Sequence, residues 1–370
     1  MAALVALSGI NAHFAYIPSI GALLGRRAQF QASGAQLSRA VSAAETGSRR
    51  LPDHGMVALM RIPAPASGFQ ARRAQVYLPR TWFQIPRPHL PVLLLLHGTP
   101  GTPLDWTRAG SVDVVAERWA TLHGATAPII VMPDSNGSFQ ADSECVNGRL
   151  GNVETYLTVD VLRWAIDRLG AAKHRSRWAI GGLSSGGTCA LQLTLRHPAL
   201  FSTFLAFGAE GRISHGRGLS YLFARSPAMA ARAARRYSPT DLLASYRPDA
   251  RLPIRGWIEA GRNDGATSRE AVILNDVAHR HGLPTSLRLL TGGGHTFRVW
   301  RRSMADAYPW LMEQIADQPT DRPPAPRRSR SHVAEGPISS AGAPRSRAQS
   351  LSGSVIRKQP PLAVITSTVP

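Results

Sequence analysis

One serine of this 370-residue chain has the surroundings that make a hydroxyl nucleophilic. Ser184 sits in Gly182-Leu183-Ser184-Ser185-Gly186, a GxSxG pattern. The apolar run Trp178-Ala-Ile-Gly-Gly-Leu183 leads into it and the helix-forming run Thr188 to Leu195 leads out. A turn from strand to helix this tight leaves no room for side chains at the flanking glycine positions. It lifts the serine Oγ above the sheet and aims the N–H of Ser185 at a developing oxyanion. Composition alone produces GxSxG roughly 0.3 times in a chain of this length, so the pattern gains its weight from lying between a strand and a helix. Ser185, the competing serine, has Leu183 rather than glycine two residues before it.

A serine hydroxyl needs a base, and the base needs an orienting carboxylate. After the apolar stretch Gly256 to Ala260 comes Gly261-Arg-Asn-Asp264, and after Ser286 to Leu290 comes Thr291-Gly-Gly-Gly-His295. Both residues follow the carboxyl ends of strands, in the order Ser, Asp, His, so the expected triad is Ser184, His295 and Asp264. The alternatives have structural roles. His279 and His281 end the helical stretch Ser268 to His281, where a cation complements the helix dipole, and His332 lies in a polar tail. Asp241 is read as the N3 residue of a cap begun by Ser238-Pro239, Glu259 lies within a strand, and His97 is read as packing or hydrogen-bonding under the turn His97-Gly98-Thr99-Pro100-Gly101. That turn follows the apolar run Val92 to Leu96. Its Thr99 N–H is the expected second oxyanion donor, because Pro100 has none.

The elements that must position these groups are legible. From about Leu51 to Ile315 short apolar runs alternate with amphipathic stretches, which predicts an α/β fold, a mostly parallel sheet with helices on both faces. The strands are expected at Val57–Ile62, Ala74–Leu78, Val92–Leu96, Ile129–Met132, Trp178–Leu183, Phe204–Phe207, Gly256–Ala260 and Ser286–Leu290. Between Asn152 and Leu169, Val153, Tyr156, Leu157, Val161, Trp164 and Ala165 fall on one helical face. A composition of 44% hydrophobic and 18% charged residues excludes collagen-like, coiled-coil and wholly disordered chains.

The ends differ from the middle. Residues 1–50 read as an apolar leader and linker. The first 25 carry no Asp, Glu, Lys or Arg, but Asn11, Pro18 and several glycines interrupt them, which favours an interfacial or loosely packed leader over a spanning helix. The catalytic domain is expected at 51–318. Residues 319–370 read as a disordered tail rich in Pro, Ser and Arg, able to touch an anionic membrane surface. The chain has 43 basic and 23 acidic residues, almost all of the positive charge being arginine scattered without interleaved aromatics, so no nucleic-acid partner is expected. Cys145 and Cys189 are too far apart for a CxxC motif. They form either one disulfide in an oxidising compartment or two separately buried thiols. The chemistry calls for no cofactor and no metal.

The succession of an HG-type turn at His97-Gly98, Gly182-Leu-Ser-Ser-Gly-Gly187, Gly261-Arg-Asn-Asp264 and Gly292-Gly-Gly-His295 resembles the α/β-hydrolases of the esterase D and S-formylglutathione hydrolase group, which also includes the secreted mycolyltransferase antigens. The resemblance spans roughly Leu51 to Ile315. Pro133-Asp-Ser-Asn-Gly137, Asp142-Ser-Glu-Cys-Val-Asn147 and Glu154-Thr-Tyr156 are similar to segments in esterases of high-GC bacteria, which often carry membrane helices ahead of a leader like Ile10-Asn11-Ala12. The resemblance implies an α/β-hydrolase fold and a serine esterase acting on a small-molecule or lipid ester or thioester through an acyl-enzyme. One alternative is an acyltransferase of the mycolyltransferase type, moving the acyl group to a sugar or another alcohol. The other is a non-catalytic basic binding protein on the same scaffold. The expected location is the cell envelope, with the cytoplasm as the alternative.

Overall fold

The computed structural model describes residues 28–46 and 51–316. Ten strands run in chain order as β1 (Met56–Met60), β2 (Ala74–Leu78), β3 (Val92–Leu96), β4 (Ile129–Met132), β5 (Asn147–Gly148), β6 (Gly151–Asn152), β7 (Trp178–Leu183), β8 (Thr203–Phe207), β9 (Arg255–Gly261) and β10 (Thr285–Leu290). Eight of them form one sheet in the order β1-β2-β4-β3-β7-β8-β9-β10, and β5 and β6 make a separate two-stranded ribbon. From β4 through β3, β7, β8 and β9 to β10 every neighbouring pair is parallel; β2 is antiparallel to β1 and β4. The expected mostly parallel sheet of an α/β hydrolase is present, and each of the eight expected strands appears within two residues at either end.

The helices that matter for the site are α1 (Gly34–Glu45), α2 (Val112–Leu122), α3 (Val161–Leu169), α4 (Ser185–Arg196), α5 (Leu219–Phe223), α6 (Pro227–Arg235), α7 (Pro239–Ser245), α8 (Gly265–Arg280) and α9 (Phe297–Ile315). Central strands buried on both faces must be apolar throughout, and β3, Val-Leu-Leu-Leu-Leu, is wholly buried. By the two-residue period of a strand, Leu93 and Leu95 face a core shared with α2 and α9, where Ala116, Met304, Tyr308 and Leu311 pack with Ile130, Leu205 and Phe207. The opposite face is covered by α4, on which every residue from Gly186 to Thr194 is buried.

Val153–Thr155, a π-helical turn at Tyr156–Asp160, and α3 occupy the stretch read as one helix. Residues 28–46, within the expected leader and linker, are part of the folded edge: Gln31 pairs in parallel with Val57, and Ser33 caps α1 in a reciprocal capping box with Gln36. The cap expected at Ser238 differs. Ser238 precedes α7 and Asp241 lies in its first turn, but the Ser238 Oγ donates to the Ala234 carbonyl and accepts from the Ile213 N–H instead of capping the helix. The first 25 residues and the tail from 319 lie outside the described residues. Among the described residues no helix is long and apolar enough to cross a membrane.

Candidate active site

β7 delivers Ser184 to the carboxyl edge of the sheet. There the chain turns through Ser184 at φ 54°, ψ −127°, a backbone region that non-glycine residues occupy only when the surroundings hold them. The Ser184 N–H is held by the Phe207 carbonyl at 2.8 Å. The two pattern glycines are required by contact. A Cβ at Gly182 would collide with the Gly186 carbonyl, and one at Gly186 with the carbonyls of Leu96 and His97. Ser185 opens α4, so its N–H has no acceptor within the helix.

β9 ends at Gly261, and Asp264 stands immediately before α8. The loop after β10 is tied to that segment by the Arg262 N–H on the Leu290 carbonyl at 2.9 Å and the Asn263 N–H on the Gly293 carbonyl at 2.8 Å. These ties bring residues 31 apart in sequence together: His295 Nδ1 lies 2.7 Å from Asp264 Oδ2. On the other side of the ring, His295 Nε2 lies 3.0 Å from Ser184 Oγ. Trp300 of α9 meets the imidazole edge-on at a centroid distance of 4.9 Å. Nδ1–H donating to Asp264 leaves Nε2 as the acceptor for the serine proton, the arrangement a general base requires.

The Thr99 turn lies over the elbow, a Cβ on Gly98 falling 3.2 Å from Ser184 Cβ. The Thr99 hydroxyl is a hub. It accepts from Asn136 Nδ2 at 2.8 Å and from the Ser185 hydroxyl at 3.0 Å, and donates to Asp142 Oδ1 at 3.2 Å. With its hydrogen and both lone pairs occupied, this hydroxyl is fully partnered and fixes the turn against the elbow. Beneath the turn, His97 Nδ1 donates to the Gly98 carbonyl at 2.8 Å and Nε2 accepts from the Ser135 N–H at 3.2 Å. Arg72 grips Asp134 through Nε at 2.9 Å and Nη2 at 2.6 Å, and donates through Nη1 to the Gly101 carbonyl at 3.1 Å. Burial alone would raise the Asp134 carboxyl, but the hydrogen bonds and charge of Arg72 outweigh it and hold the group well below the usual carboxylate range.

The loop from Asp134 to Cys145 is anchored at its far end by a disulfide between Cys145 and Cys189 of α4, Cα atoms 5.7 Å apart. Glu144 and Cys145 both have positive φ, 49° and 51°. Burial, with the nearby Asp142 charge adding to it, pushes the Glu144 carboxyl well up. Glu154 ties the other end of α4. Burial would raise it, yet hydrogen bonds from His197, Arg196 and Tyr237 bring it down to about 2. Among the described residues no group of three or more His, Cys, Asp or Glu is arranged to hold a metal ion.

The structure therefore brings Ser184, His295, Asp264, Thr99 and Ser185 to one spot. The alternative histidines lie elsewhere, His279 donating to the Thr285 carbonyl and His281 against Arg247. Glu259 is buried on β9 and accepts from Trp257 Nε1. Asn136, Asp142, Arg72 and Asp134 were not singled out as supports of the site. The only signal for the first, second and fourth was their place in the Pro133–Gly137 and Asp142–Asn147 segments of the resemblance.

A sequence model of the Esterase family, described as "Putative esterase", matches residues 69–311. An uncharacterized protein of Corynebacterium glutamicum is 31% identical over 282 residues, which cover 73% of this chain; the chain spans 65% of that relative's length. Among solved structures, an S-formylglutathione hydrolase from Agrobacterium tumefaciens superposes with a TM-score of 0.59 at 17% identity, over 72% of this chain and 98% of the other. The fluorophosphonate-binding serine hydrolase F of Staphylococcus aureus superposes with a TM-score of 0.56 at 19% identity, over 70% and 98%. At these identities the two structures are alike in fold.

Proposed function

Since the chain belongs to the Esterase family, we propose that it is a serine esterase whose triad is Ser184, His295 and Asp264. The observation that supports this most directly is the pair of contacts on one imidazole, 3.0 Å to Ser184 Oγ and 2.7 Å to Asp264 Oδ2. In the reaction, Ser184 Oγ attacks the carbonyl carbon of an ester or thioester while Nε2 of His295 takes its proton. The carbonyl oxygen becomes an oxyanion facing the N–H groups of Thr99 and Ser185. Collapse of this intermediate expels the alcohol or thiol, which leaves with the proton from Nε2, and the acyl group stays on Ser184. Water then attacks the acyl-enzyme, giving its proton to Nε2, and the acid is released as Ser184 recovers it. Asp264 stays ionised, holding the Nδ1–H tautomer and stabilising the imidazolium.

The substrate class is a small-molecule or lipid ester, and the Cys145–Cys189 disulfide supports a location outside the reducing cytoplasm. The test is labelling with a fluorophosphonate probe followed by peptide mapping. The adduct is expected on Ser184 and is expected to vanish in Ser184→Ala. Labelling on another serine, or none in folded protein, overturns the assignment.

A further inference from the structure

After β8 the chain leaves the sheet and builds a small cap of α5 and α6, packed on its own apolar cluster of Val146, Ile213, Leu222, Phe223, Ala230 and Ala234. From Gly211 to Arg236 this cap carries six arginines and no acidic residue. Helix α6 divides its faces cleanly. Ala230 and Ala234 point inward, whereas Ala228, Met229, Arg232 and Arg235 on α6 and Arg236 just after it are exposed. At about 100° per residue these outward positions form one stripe. Met229, at one edge of the stripe, is 51% exposed. Arg212, Arg217 and Arg225 are exposed nearby, with Arg217 stacked on Tyr221 at 3.8 Å. Among the described residues no carboxylate forms an ion pair with any of these six arginines.

We propose that this cap is a docking surface for an anionic lipid bilayer. An arginine stripe without acidic partners attracts a negative surface, and the exposed Met229 at its edge supplies a small apolar contact. Nucleic acid fits less well. Binding to single strands uses exposed aromatic platforms, and the aromatic ring among these arginines, Tyr221, is half-buried and already covered by Arg217. The cap begins just past Gly208, whose backbone lies against the His295 ring, so adsorption through it would hold the catalytic edge at the membrane. The inference rests on the surface and stands independently of the esterase reading.

The test is co-sedimentation of the full-length protein with vesicles of phosphatidylcholine alone or mixed equally with phosphatidylglycerol. Binding is expected only to the mixed vesicles, and is expected to be lost near 1 M salt, where the screening length is about 3 Å. Each arginine at such a surface is worth about fivefold in partitioning. R232Q/R235Q/R236Q should therefore weaken binding about a hundredfold, and R217Q/R225Q, outside the helix, about 25-fold. R232K/R235K/R236K should bind as the parent does. Tails are identical in all variants, so the differences report on the cap. Three results overturn the proposal: no binding by the parent at low salt, glutamine variants that fold and bind like the parent, or tighter retention on duplex DNA than on mixed vesicles at equal salt. Failure of every tested ester to turn over would overturn the esterase reading and leave this one standing.

Discussion

Removing one hydroxyl at a time from the catalytic edge separates three roles held by neighbouring residues. Ser184→Ala deletes the nucleophile, and turnover of a small activated ester such as p-nitrophenyl acetate should fall about a thousandfold or more. Ser185→Ala keeps its backbone N–H and loses only the 3.0 Å hydrogen bond to the Thr99 hydroxyl. A bond of that kind contributes about 0.5–1.5 kcal/mol. Even if all of it reaches the transition state, turnover should drop only about two- to tenfold. Thr99→Val also keeps its N–H, but it strips the acceptor from Asn136 and Ser185 and the donor from Asp142 together. The loss should therefore exceed that of Ser185→Ala and approach the value of one oxyanion donor, about a hundredfold or more. Each variant should keep its melting temperature within a few degrees, and the losses should appear in kcat rather than KM, because in the proposed mechanism these groups serve the chemical step. Two outcomes would refute the reasoning. If Ser185→Ala is as damaging as Ser184→Ala, the nucleophile is misassigned. If Thr99→Val is silent, the hydroxyl hub does not position the turn.

Other expectations follow from the same structure. The disulfide closes a separation of 44 residues, worth about 4 kcal/mol by loop entropy, so Cys189→Ser or reductant should lower the melting temperature by several degrees and reduce turnover by freeing the loop that carries Asn136 and Asp142; two titratable thiols in protein purified without reductant would contradict the pairing. Burial pushes the Asp113 carboxyl up to about 6, against hydrogen bonds from backbone N–H groups including that of Phe30. The folded state then holds a proton that the unfolded state has released, so stability should fall as pH rises from about 4 to about 6, by about 3 kcal/mol. Asp113→Asn should abolish that slope in denaturant titrations, and an unchanged slope would exclude Asp113 as its source. A chain ending at Gln318 should keep its turnover of a soluble ester and its melting temperature, because most of the segment beyond is rich in Pro, Ser and Arg; a severalfold loss of turnover would move the domain boundary.

The parts of this fold that are local in sequence were legible, and the parts that depend on distant partners were not. The inner strands β3, β4, β7 and β8 are runs whose composition declares burial. The elbow and the two loops after β9 and β10 announce themselves through glycines, of which Gly182, Gly186, Gly261 and Gly293 leave no room for a Cβ and Gly292 has positive φ. Helix ends slipped: α8 begins at Gly265 rather than Ser268, and Asp264 before it turns its carboxylate to His295 instead of capping the helix. The β5–β6 ribbon has only two residues per strand, too few for a period to show. The Arg72–Asp134 pair joins positions 62 apart, and neither residue carries a local signature of the other. The cysteines left both a disulfide and two buried thiols open, because nothing local in the sequence places the Asp134–Cys145 loop against α4.

The π-helical turn at Tyr156–Asp160 bears on how this chain tolerates changes in length. Val153, Tyr156 and Leu157 are buried ahead of it or within it, and Val161, Ala165 and Leu169 after it. At about 100° per residue an unbroken α-helix would set these two groups roughly 120° apart around the axis. The wide turn absorbs about one extra residue and swings the second group back toward the core. Loss of one residue here, such as the 37% exposed Val159, would leave a plain helix with both groups still facing inward. The same deletion inside α3 would rotate everything after it by about 100° and turn Leu169 out of the core. Natural variation in length among relatives of this chain should therefore gather at 156–160 and avoid 161–169.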